Sequence, residues 1–185
     1  MSDSPVTLRT QRLVLRPWLG TDHEPFARLN ADPNVMEFFP RLHDRSESDA
    51  MAGIIAQRIE RDGYGLWAVE VPGEIEFAGF VGLQIVPFEE HFTPAIEVAW
   101  RLAHDAWGRG FATEGARAAL DFAHVNLGYE EVVAMSVSAN RRSRRVMEKL
   151  GMTYDARDDF ENPRIPEGHP LRRHVLYRHR ATPPS

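Results

Sequence analysis

The sequence predicts an α/β (α+β) fold, in which helices cover both faces of one mixed, mostly antiparallel sheet of about six to seven strands. In the first half, two apolar runs flank a Pro-Gly pair, as in an antiparallel hairpin. In the second half, strand and helix patterns alternate, as in strand-helix-strand units. A chain of 185 residues, 43% of them hydrophobic, has the usual size of one domain. We therefore predict a single domain over 7–180, with flexible termini at 1–6 and 181–185.

The N-terminal elements are predicted from short local patterns. Alternating apolar residues predict a strand over 12–17. Thr21 and Glu24 have the spacing of a capping box and predict a short helix. Asp32-Pro33 predicts the start of a second short helix, because proline suits the first helical position.

A long helix and a hairpin follow. Apolar residues at helical spacing predict a helix over 46–62 that ends at Gly63. The strands over 66–71 and 77–86 flank Pro72-Gly73 and predict the hairpin. By the same patterns, the remaining elements are strand 96–102, helix 112–127, strand 131–137, helix 141–150, and strands 153–160 and 171–179.

Composition excludes several classes of function. The chain has 22 Lys and Arg against 27 Asp and Glu, a net charge of −5, so it has no general attraction for nucleic acid or anionic membranes. The absence of Cys excludes disulfides, Cys-based zinc sites and a thioester on the protein's own thiol. No signal-peptide pattern and no run of about 18 apolar residues occurs, so we expect a cytoplasmic protein without a membrane partner.

A glycine-rich segment over 107–115 follows a predicted strand and opens a predicted helix. Unpaired N–H groups and the helix dipole bind phosphate at such a place, and Gly108 and Gly110 let the backbone approach the anion. Arg109 adds a positive charge, which favours a pyrophosphate over a carboxylate. The alternative is an ordinary strand-to-helix turn that contains glycine.

Two familiar nucleotide motifs do not match this segment. Gly115 comes too late to complete G-x-G-x-x-G, and Ala116-Arg117 stand where a P-loop has Lys followed by Ser or Thr. Neither a dinucleotide nor ATP is indicated.

A second polar segment, Asn140 to Arg145, comes directly after the strand over 131–137. Asn140 suits the N-cap of the next helix, and Ser143 lies in its first turn. The alternative is that Asn140 only caps the helix and that the arginines are solvated. Because no aromatic residue interleaves these arginines, nucleic acid is not an expected partner.

The two segments together resemble a known family. Trp107-Gly108-Arg109-Gly110-Phe111-Ala112 is similar to the Q/R-x-x-G-x-G/A signature of the GNAT superfamily of acyl-CoA transferases. Asn140-x-x-Ser143, with Glu148-Lys149-Leu150-Gly151-Met152, resembles the family's N-x-x-S/A and E-K-x-G-F segment. The form of the glycine-rich segment is similar to the branch of ribosomal-protein N-terminal acetyltransferases, the RimJ/RimL-like enzymes.

The resemblance implies acetyl-CoA as co-substrate and no metal. By analogy, the strand ending at Leu102 lends backbone groups to the pantetheine arm and the glycine-rich segment holds the pyrophosphate. The cofactor-binding residues implied are Trp100, Arg101, Leu102, Trp107, Gly108, Arg109, Gly110, Phe111, Ala112, Thr113, Asn140 and Ser143.

The catalytic residues implied are Glu97, Asn140 and Ser143. Glu97 is the candidate base, acting through water, and the alternative is an exposed or ion-paired strand Glu. Many members have a Tyr four residues after Ser143 as the acid for the thiolate. Met147 stands there and cannot donate a proton, so Ser143 is the expected substitute.

Trp107 departs from the family signature, and Glu114 lies outside it. Trp107 occupies the Q/R position of the signature and cannot make a guanidinium contact with phosphate, so Arg109 is the expected substitute. Glu114 is expected to stabilise the start of its helix and to pair with an Arg, without a catalytic role.

The expected reaction is direct acetyl transfer from acetyl-CoA to a primary amine, with a protein or peptide α-amine as the first choice of acceptor. A small amine such as an aminoglycoside or polyamine, a longer acyl donor, and a non-catalytic acyl-CoA-binding module are the alternatives. The eight histidines show no metal-ligand spacing. A homodimer is an open alternative that the sequence does not decide.

Overall fold

The computed structural model describes residues 5–181. Most of the predicted flexible termini, 1–4 and 182–185, lie outside the described residues. Val6 and Ala181 were also predicted to be flexible, but both are held by the fold. The Val6 N–H donates to the Gly63 carbonyl at 2.8 Å, and the Ala181 N–H donates to the Glu130 carbonyl at 2.9 Å.

The nine strands of these residues form one mixed sheet in the order β1-β2-β3-β4-β5-β6-β9-β7, with β8 paired to β9. Within residues 5–181, β5 and β6 are parallel and the other paired strands are antiparallel. The strands are β1 (Leu8–Arg9), β2 (Val14–Arg16), β3 (Leu66–Val71), β4 (Ile75–Ile85), β5 (Ile96–Leu102), β6 (Glu131–Val137), β7 (Thr153–Tyr154), β8 (Phe160–Glu161) and β9 (Arg173–Arg180).

The described residues form four α-helices: α1 (His23–Ala31), α2 (Arg45–Asp62), α3 (Phe111–Val125) and α4 (Arg141–Lys149). Helices cover both faces of the sheet, as predicted. Successive residues of a strand point to opposite faces. Phe80 of β4 packs against Phe26 of α1, with ring centroids 6.1 Å apart. Val81, the next residue, lies against Gly115 of α3. The main core fills these two interfaces.

Local signals confirm most of the predicted elements. The Asp44 carboxylate accepts from the Glu47 N–H at 2.8 Å, and the Glu47 carboxylate accepts from the Asp44 N–H at 3.0 Å. This capping box starts α2, which Gly63 ends with φ 78°. The strands 66–71, 96–102 and 131–137 are found as predicted.

The predictions around the first helix were wrong in detail. Thr21 and Glu24 form no capping box: Asp22 precedes α1 without a side-chain bond to it, and its carboxylate accepts from the Leu19 N–H at 2.7 Å around the short 3-10 turn Gly20–Asp22. No helix starts at Asp32-Pro33: the Asp32 side chain accepts from the Asn34 N–H at 2.8 Å. Such a local bond to the residue two positions later competes with helix formation.

The strand predicted over 153–160 is broken into β7 and β8. The Asp155 carboxylate accepts from the Arg157 N–H at 2.9 Å, and a short 3-10 turn follows. Both pieces pair with β9. Together with β1, which was not predicted, this break raises the strand number above the expected six to seven.

Candidate active site

The sheet opens between β5 and β6. These strands are in parallel register at one residue pair of the described chain, Glu97 with Val133. On its other edge, β5 is paired with β4 along its whole length. Beyond Glu97, the edge of β5 that faces β6 is therefore free to pair with a ligand.

Hydrogen bonds beyond both ends of β5 identify which backbone groups face this opening. The Ala103 N–H donates to the Ala78 carbonyl, and the Val86 N–H donates to the Ala95 carbonyl. In an antiparallel ladder, successive residues alternate between facing the partner and facing away from it. The odd-numbered residues of β5 therefore direct their backbone groups to β4, and the even-numbered residues direct theirs to β6.

Trp100 and Leu102 thus face the opening, whereas the backbone groups of Arg101 face β4. The geometry thus leaves a backbone contact with the cofactor open to Trp100 and Leu102, as expected, but not to Arg101. The Leu102 carbonyl already accepts from the Trp107 indole Nε1 at 2.9 Å. This bond fixes the turn that leads to the glycine-rich segment.

The glycine-rich turn has the backbone that its sequence predicts. Gly108 and Gly110 have φ values of 74° and 84°, which other residues rarely adopt. Gly110 precedes α3, and its carbonyl accepts the first helical bond, from the Glu114 N–H. The N–H groups of Phe111, Ala112 and Thr113 come before that bond and have no partner within the helix.

The Arg109 side chain is paired with another residue and is not simply free to bind phosphate. Its two terminal nitrogens donate to the Glu74 carboxylate at 2.5 and 2.7 Å, and its guanidinium carbon lies 4.5 Å from the Phe111 ring centroid. Glu74 follows the β3–β4 turn. A contact between Arg109 and phosphate stays a prediction, and it requires this pair to be shared or broken.

Glu114 has the structural role that the sequence indicated. It accepts from the Thr10 hydroxyl at 2.6 Å, from the Arg12 N–H at 2.9 Å and from the Arg12 Nε at 2.7 Å. Burial alone would raise its pKa, but these three donors together lower it. The ionised carboxylate therefore connects the residues just before β2 to the start of α3.

Asn140 and Ser143 begin α4 as a bonded pair. Asn140 Oδ1 accepts from the Ser143 N–H at 3.1 Å, and Asn140 Nδ2 donates to Ser143 Oγ at 3.2 Å. Because Ser143 Oγ is an acceptor in this bond, its own hydrogen is available to another group. Met147 lies one turn later and is fully buried in the core.

The two segments singled out by the sequence meet in space. The guanidinium carbon of Arg142, in the first turn of α4, lies 4.6 Å from the Trp107 ring centroid. Arg142 also pairs with Glu37. The turns before α3 and α4 thus stand side by side at the carboxyl ends of β5 and β6, which is where open sheets bind ligands.

Glu97 is a buried carboxyl group beside this opening. It is 9% exposed, and its Oε2 accepts from Gln84 Nε2 at 2.8 Å. Burial raises its pKa to about 7, although the hydrogen bond from Gln84 acts in the opposite direction. A carboxyl group with this pKa accepts and releases protons near neutral pH. Glu97 is therefore not exposed, and within residues 5–181 no ion pair to it is found, although the charge of Arg164 also acts to lower its pKa.

The structure offers two further findings on partners. In residues 5–181, no group of three His, Cys, Asp or Glu side chains is arranged to hold a metal ion. In the same residues, no helix combines the length and the apolar character that crossing a membrane requires.

A family comparison shows which family the chain belongs to. The model of a family described as an acetyltransferase (GNAT) domain matches residues 12–153. The chain belongs to the GNAT acetyltransferase family. This family transfers acetyl groups from acetyl-CoA, and its matched region contains β5, β6 and the turns that follow them.

Two relatives are similar over most of this GNAT chain. The FsC-acetyl coenzyme A-N(2)-transacetylase of Aspergillus fumigatus is 33% identical over 156 residues, which are 80% of this chain and 65% of that protein. The chain thus spans just under two thirds of that relative. The uncharacterized protein YkkB of Bacillus subtilis is 32% identical over 148 residues, which are 80% of this chain and 85% of that protein.

Solved structures show the same fold. An acetyltransferase from Agrobacterium tumefaciens superposes with a TM-score of 0.77 and 26% identity over 98% of both chains. The ribosomal-protein-S5-alanine acetyltransferase from Vibrio fischeri has a TM-score of 0.73 over 95% of this chain and 96% of that one. Its identity of 13% shows a shared fold alone.

Sequence reasoning missed two residues of this candidate site. Gln84 bonds Glu97 because β4 and β5 place them directly opposite each other. The hairpin register would have identified this pair, but the length of the loop over 86–95 left that register open. Arg142 was included in a basic run, and nothing in its spacing pointed to Trp107.

Proposed function

We propose that this chain transfers an acetyl group from acetyl-CoA to a primary amine, with a protein or peptide α-amine as the acceptor. The observation that carries the proposal is the opening between β5 and β6, with Glu97 at its start and the two motif turns at its end. We place this activity in the cytoplasm, as the sequence led us to expect. A homodimer stays a prediction.

The residues present suit coenzyme A. The N–H groups around Gly110 and at the start of α3 suit the pyrophosphate, since they converge at a helix N-terminus. The backbone groups of Trp100 and the N–H of Leu102 suit the amide-containing pantetheine arm, which can pair with them as a strand would, while the Leu102 carbonyl is bonded to Trp107. Bound there, the co-substrate supplies an acetyl thioester as the acyl donor.

Glu97 acts as the base in this proposal. An α-amine has a pKa near 8, so losing its proton costs about 1 kcal/mol at neutral pH. A lysine amine, with a pKa near 10.4, costs roughly 4 to 5 kcal/mol. A carboxylate with a pKa of about 7 is a sufficient base for the first acceptor and a weak one for the second.

Ser143 is the proposed acid. Its hydroxyl accepts from Asn140 and keeps its own hydrogen for donation. Asn140 positions this hydroxyl by bonding both its oxygen and its backbone N–H. Met147 is buried at the position of the family's tyrosine, so another group must protonate the leaving thiolate.

The second candidate acceptor is a small amine. The Aspergillus relative is named as an N(2)-transacetylase, so its name specifies one nitrogen atom of its acceptor. The resemblance of the glycine-rich segment to the RimJ/RimL-like branch favours a protein α-amine instead.

The test is an acceptor screen with acetyl-CoA fixed. Free CoA should be released with peptides that have an unblocked α-amine, and less with lysine side chains, aminoglycosides or polyamines. Ser143→Ala should lower turnover about 100-fold and leave the affinity for CoA unchanged. If no amine in any panel is acetylated while CoA binds, the chain is an acyl-CoA-binding module.

A further inference from the structure

The positive charge of Arg101 has no negative partner in residues 5–181. Its Nη1 donates to Asn30 Oδ1 at 2.6 Å, and its Nε is enclosed without an acceptor. Burial lowers the pKa of Arg101 to about 10, and no carboxylate raises it again. Arg101 is partly buried, and a charge withdrawn from water without a counter-charge is costly to keep, so an anionic ligand would stabilise this arrangement.

The guanidinium group is held in place without using up its donors. Its central carbon lies 4.2 Å from the Phe39 ring centroid and 5.5 Å from that of Phe80. Nε is enclosed and one Nη1 hydrogen is used by Asn30, but stacking on ring faces leaves the remaining N–H groups of the two terminal nitrogens free. Asn30 is fixed in turn, because its Nδ2 donates to Ser48 Oγ at 3.2 Å. A preorganised fork of this kind matches a carboxylate.

Arg101 lies on the same face of the sheet as Glu97. Both are odd-numbered residues of β5, whose side chains share one face. Phe80, the register partner of Arg101, packs against α1, whereas α3 lies on the other face. Four residues along a strand place the two Cα atoms about 13 Å apart. The cation is therefore on the base's side of the sheet, away from the helix proposed to hold the pyrophosphate.

We propose that Arg101 binds a carboxylate of the acceptor. The acceptor is therefore an amine that also carries a carboxylate, several bonds away from its nitrogen. This inference rests on the proposed function. A peptide α-amine followed by an acidic side chain meets the requirement. Polyamines and aminoglycosides do not, because their positive charges are repelled by Arg101.

The experiment compares acceptors that differ only in the carboxylate. Peptides that begin Ala-Asp and Ala-Asn, and an ω-amino acid with its amide, form two matched pairs. In the wild type, kcat/KM should be at least tenfold higher for the acid of each pair. Arg101→Met should reduce this ratio to about one and leave the CoA affinity unchanged.

Asn30→Asp provides a matched control that keeps Arg101. The new carboxylate replaces the Asn30 Oδ1 acceptor, and its negative charge balances the positive charge of the Arg101 guanidinium without any ligand. The preference for acidic acceptors should fall as in Arg101→Met, and the melting temperature should rise. If the acid preference survives in Asn30→Asp and in Arg101→Met, Arg101 does not bind the acceptor carboxylate.

Failure of the inference differs from failure of the proposed function. Turnover of acid and amide acceptors at equal rates overturns the carboxylate site and leaves acetyl transfer intact. If no amine is acetylated, calorimetry of the Ala-Asp peptide with the CoA-loaded protein still tests the site. Binding that is lost in Arg101→Met supports it, and equal binding of the Ala-Asp and Ala-Asn peptides overturns it.

Discussion

Glu97 and Gln84 lie directly opposite each other on neighbouring strands, and Gln84 Nε2 donates to Glu97 Oε2 at 2.8 Å. This neutral donor is the hydrogen-bonding partner of a carboxyl group that is otherwise buried. A single amide does not offset the loss of water around the charged form, so the pKa of Glu97 rises to about 7.

The first prediction concerns the pH dependence of catalysis. Because the base must be deprotonated, kcat/KM should rise with pH up to about 7. The α-amine of the acceptor adds a separate rise near pH 8. In Glu97→Gln, the step near pH 7 should vanish and kcat should fall about 100-fold. An unchanged pH profile in this variant would remove Glu97 from the mechanism.

The second prediction concerns stability. Because the pKa of Glu97 is raised on folding, the folded state binds this proton more tightly than the unfolded state does. That advantage is complete below the unfolded pKa of about 4.5 and is lost as pH rises through 7. Glu97→Gln should therefore gain stability over the wild type between pH 5 and pH 8, by up to roughly 3 kcal/mol.

Urea unfolding of both proteins at the two pH values measures this difference. Gln84→Ala should raise the pKa of Glu97 further, since it removes a hydrogen-bond donor that favours the charged form. A stability difference that stays constant between pH 5 and pH 8 would show that Glu97 does not titrate in that range.

The third prediction concerns the glycine-rich turn. Gly110 has φ 84°, and a Cβ there would lie 3.4 Å from Arg12 Nη2. Gly110→Val should cost roughly 1 to 2 kcal/mol of stability and weaken CoA binding more than tenfold, because it moves the N–H groups that face the pyrophosphate. Calorimetry with CoA measures the affinity.

Gly128→Val is the matched control for this experiment. Gly128 has φ 73° and open space around its Cβ position, and it lies beyond the far end of α3. It should show a similar loss of stability and an unchanged CoA affinity. Equal affinity in the wild type and in Gly110→Val would contradict the proposed pyrophosphate site.

The fourth prediction concerns Glu114. Since its pKa is lowered on folding, its contribution to stability is present above the unfolded pKa and is lost as pH falls through the folded one. Glu114→Gln should lower the free energy of unfolding at pH 7 by about 1 to 2 kcal/mol and leave kcat unchanged. The difference should shrink as pH falls below the unfolded pKa of 4.5.

Glu24→Gln serves as the comparison for an exposed ion pair. Its partners Arg28 and Arg45 are solvent-exposed, so its effect should stay below about 1 kcal/mol. A loss of kcat in Glu114→Gln that stability does not explain would give Glu114 a role in the reaction.

Elements defined by local patterns could be predicted from the sequence. Strands 66–71, 96–102 and 131–137 follow from apolar periodicity, and Gly63 ends α2 where its sequence position indicates. Breaks caused by side-chain bonds to nearby backbone were missed at Asp32. The same short-range competition divided the strand predicted over 153–160.

By itself, the sequence determined the mixed α/β fold, the two motif turns at Gly110 and Asn140, and Glu97 as a candidate base. Tertiary structure alone decided which groups are desolvated and which charges meet. Arg12 joins Glu114 across 102 positions of the chain, whereas Arg101 meets the neutral Asn30 across 71 positions and has no negative partner among residues 5–181. The physical reason is that burial and pairing depend on segments that only the folded chain brings together, and these set the free energy of each charge.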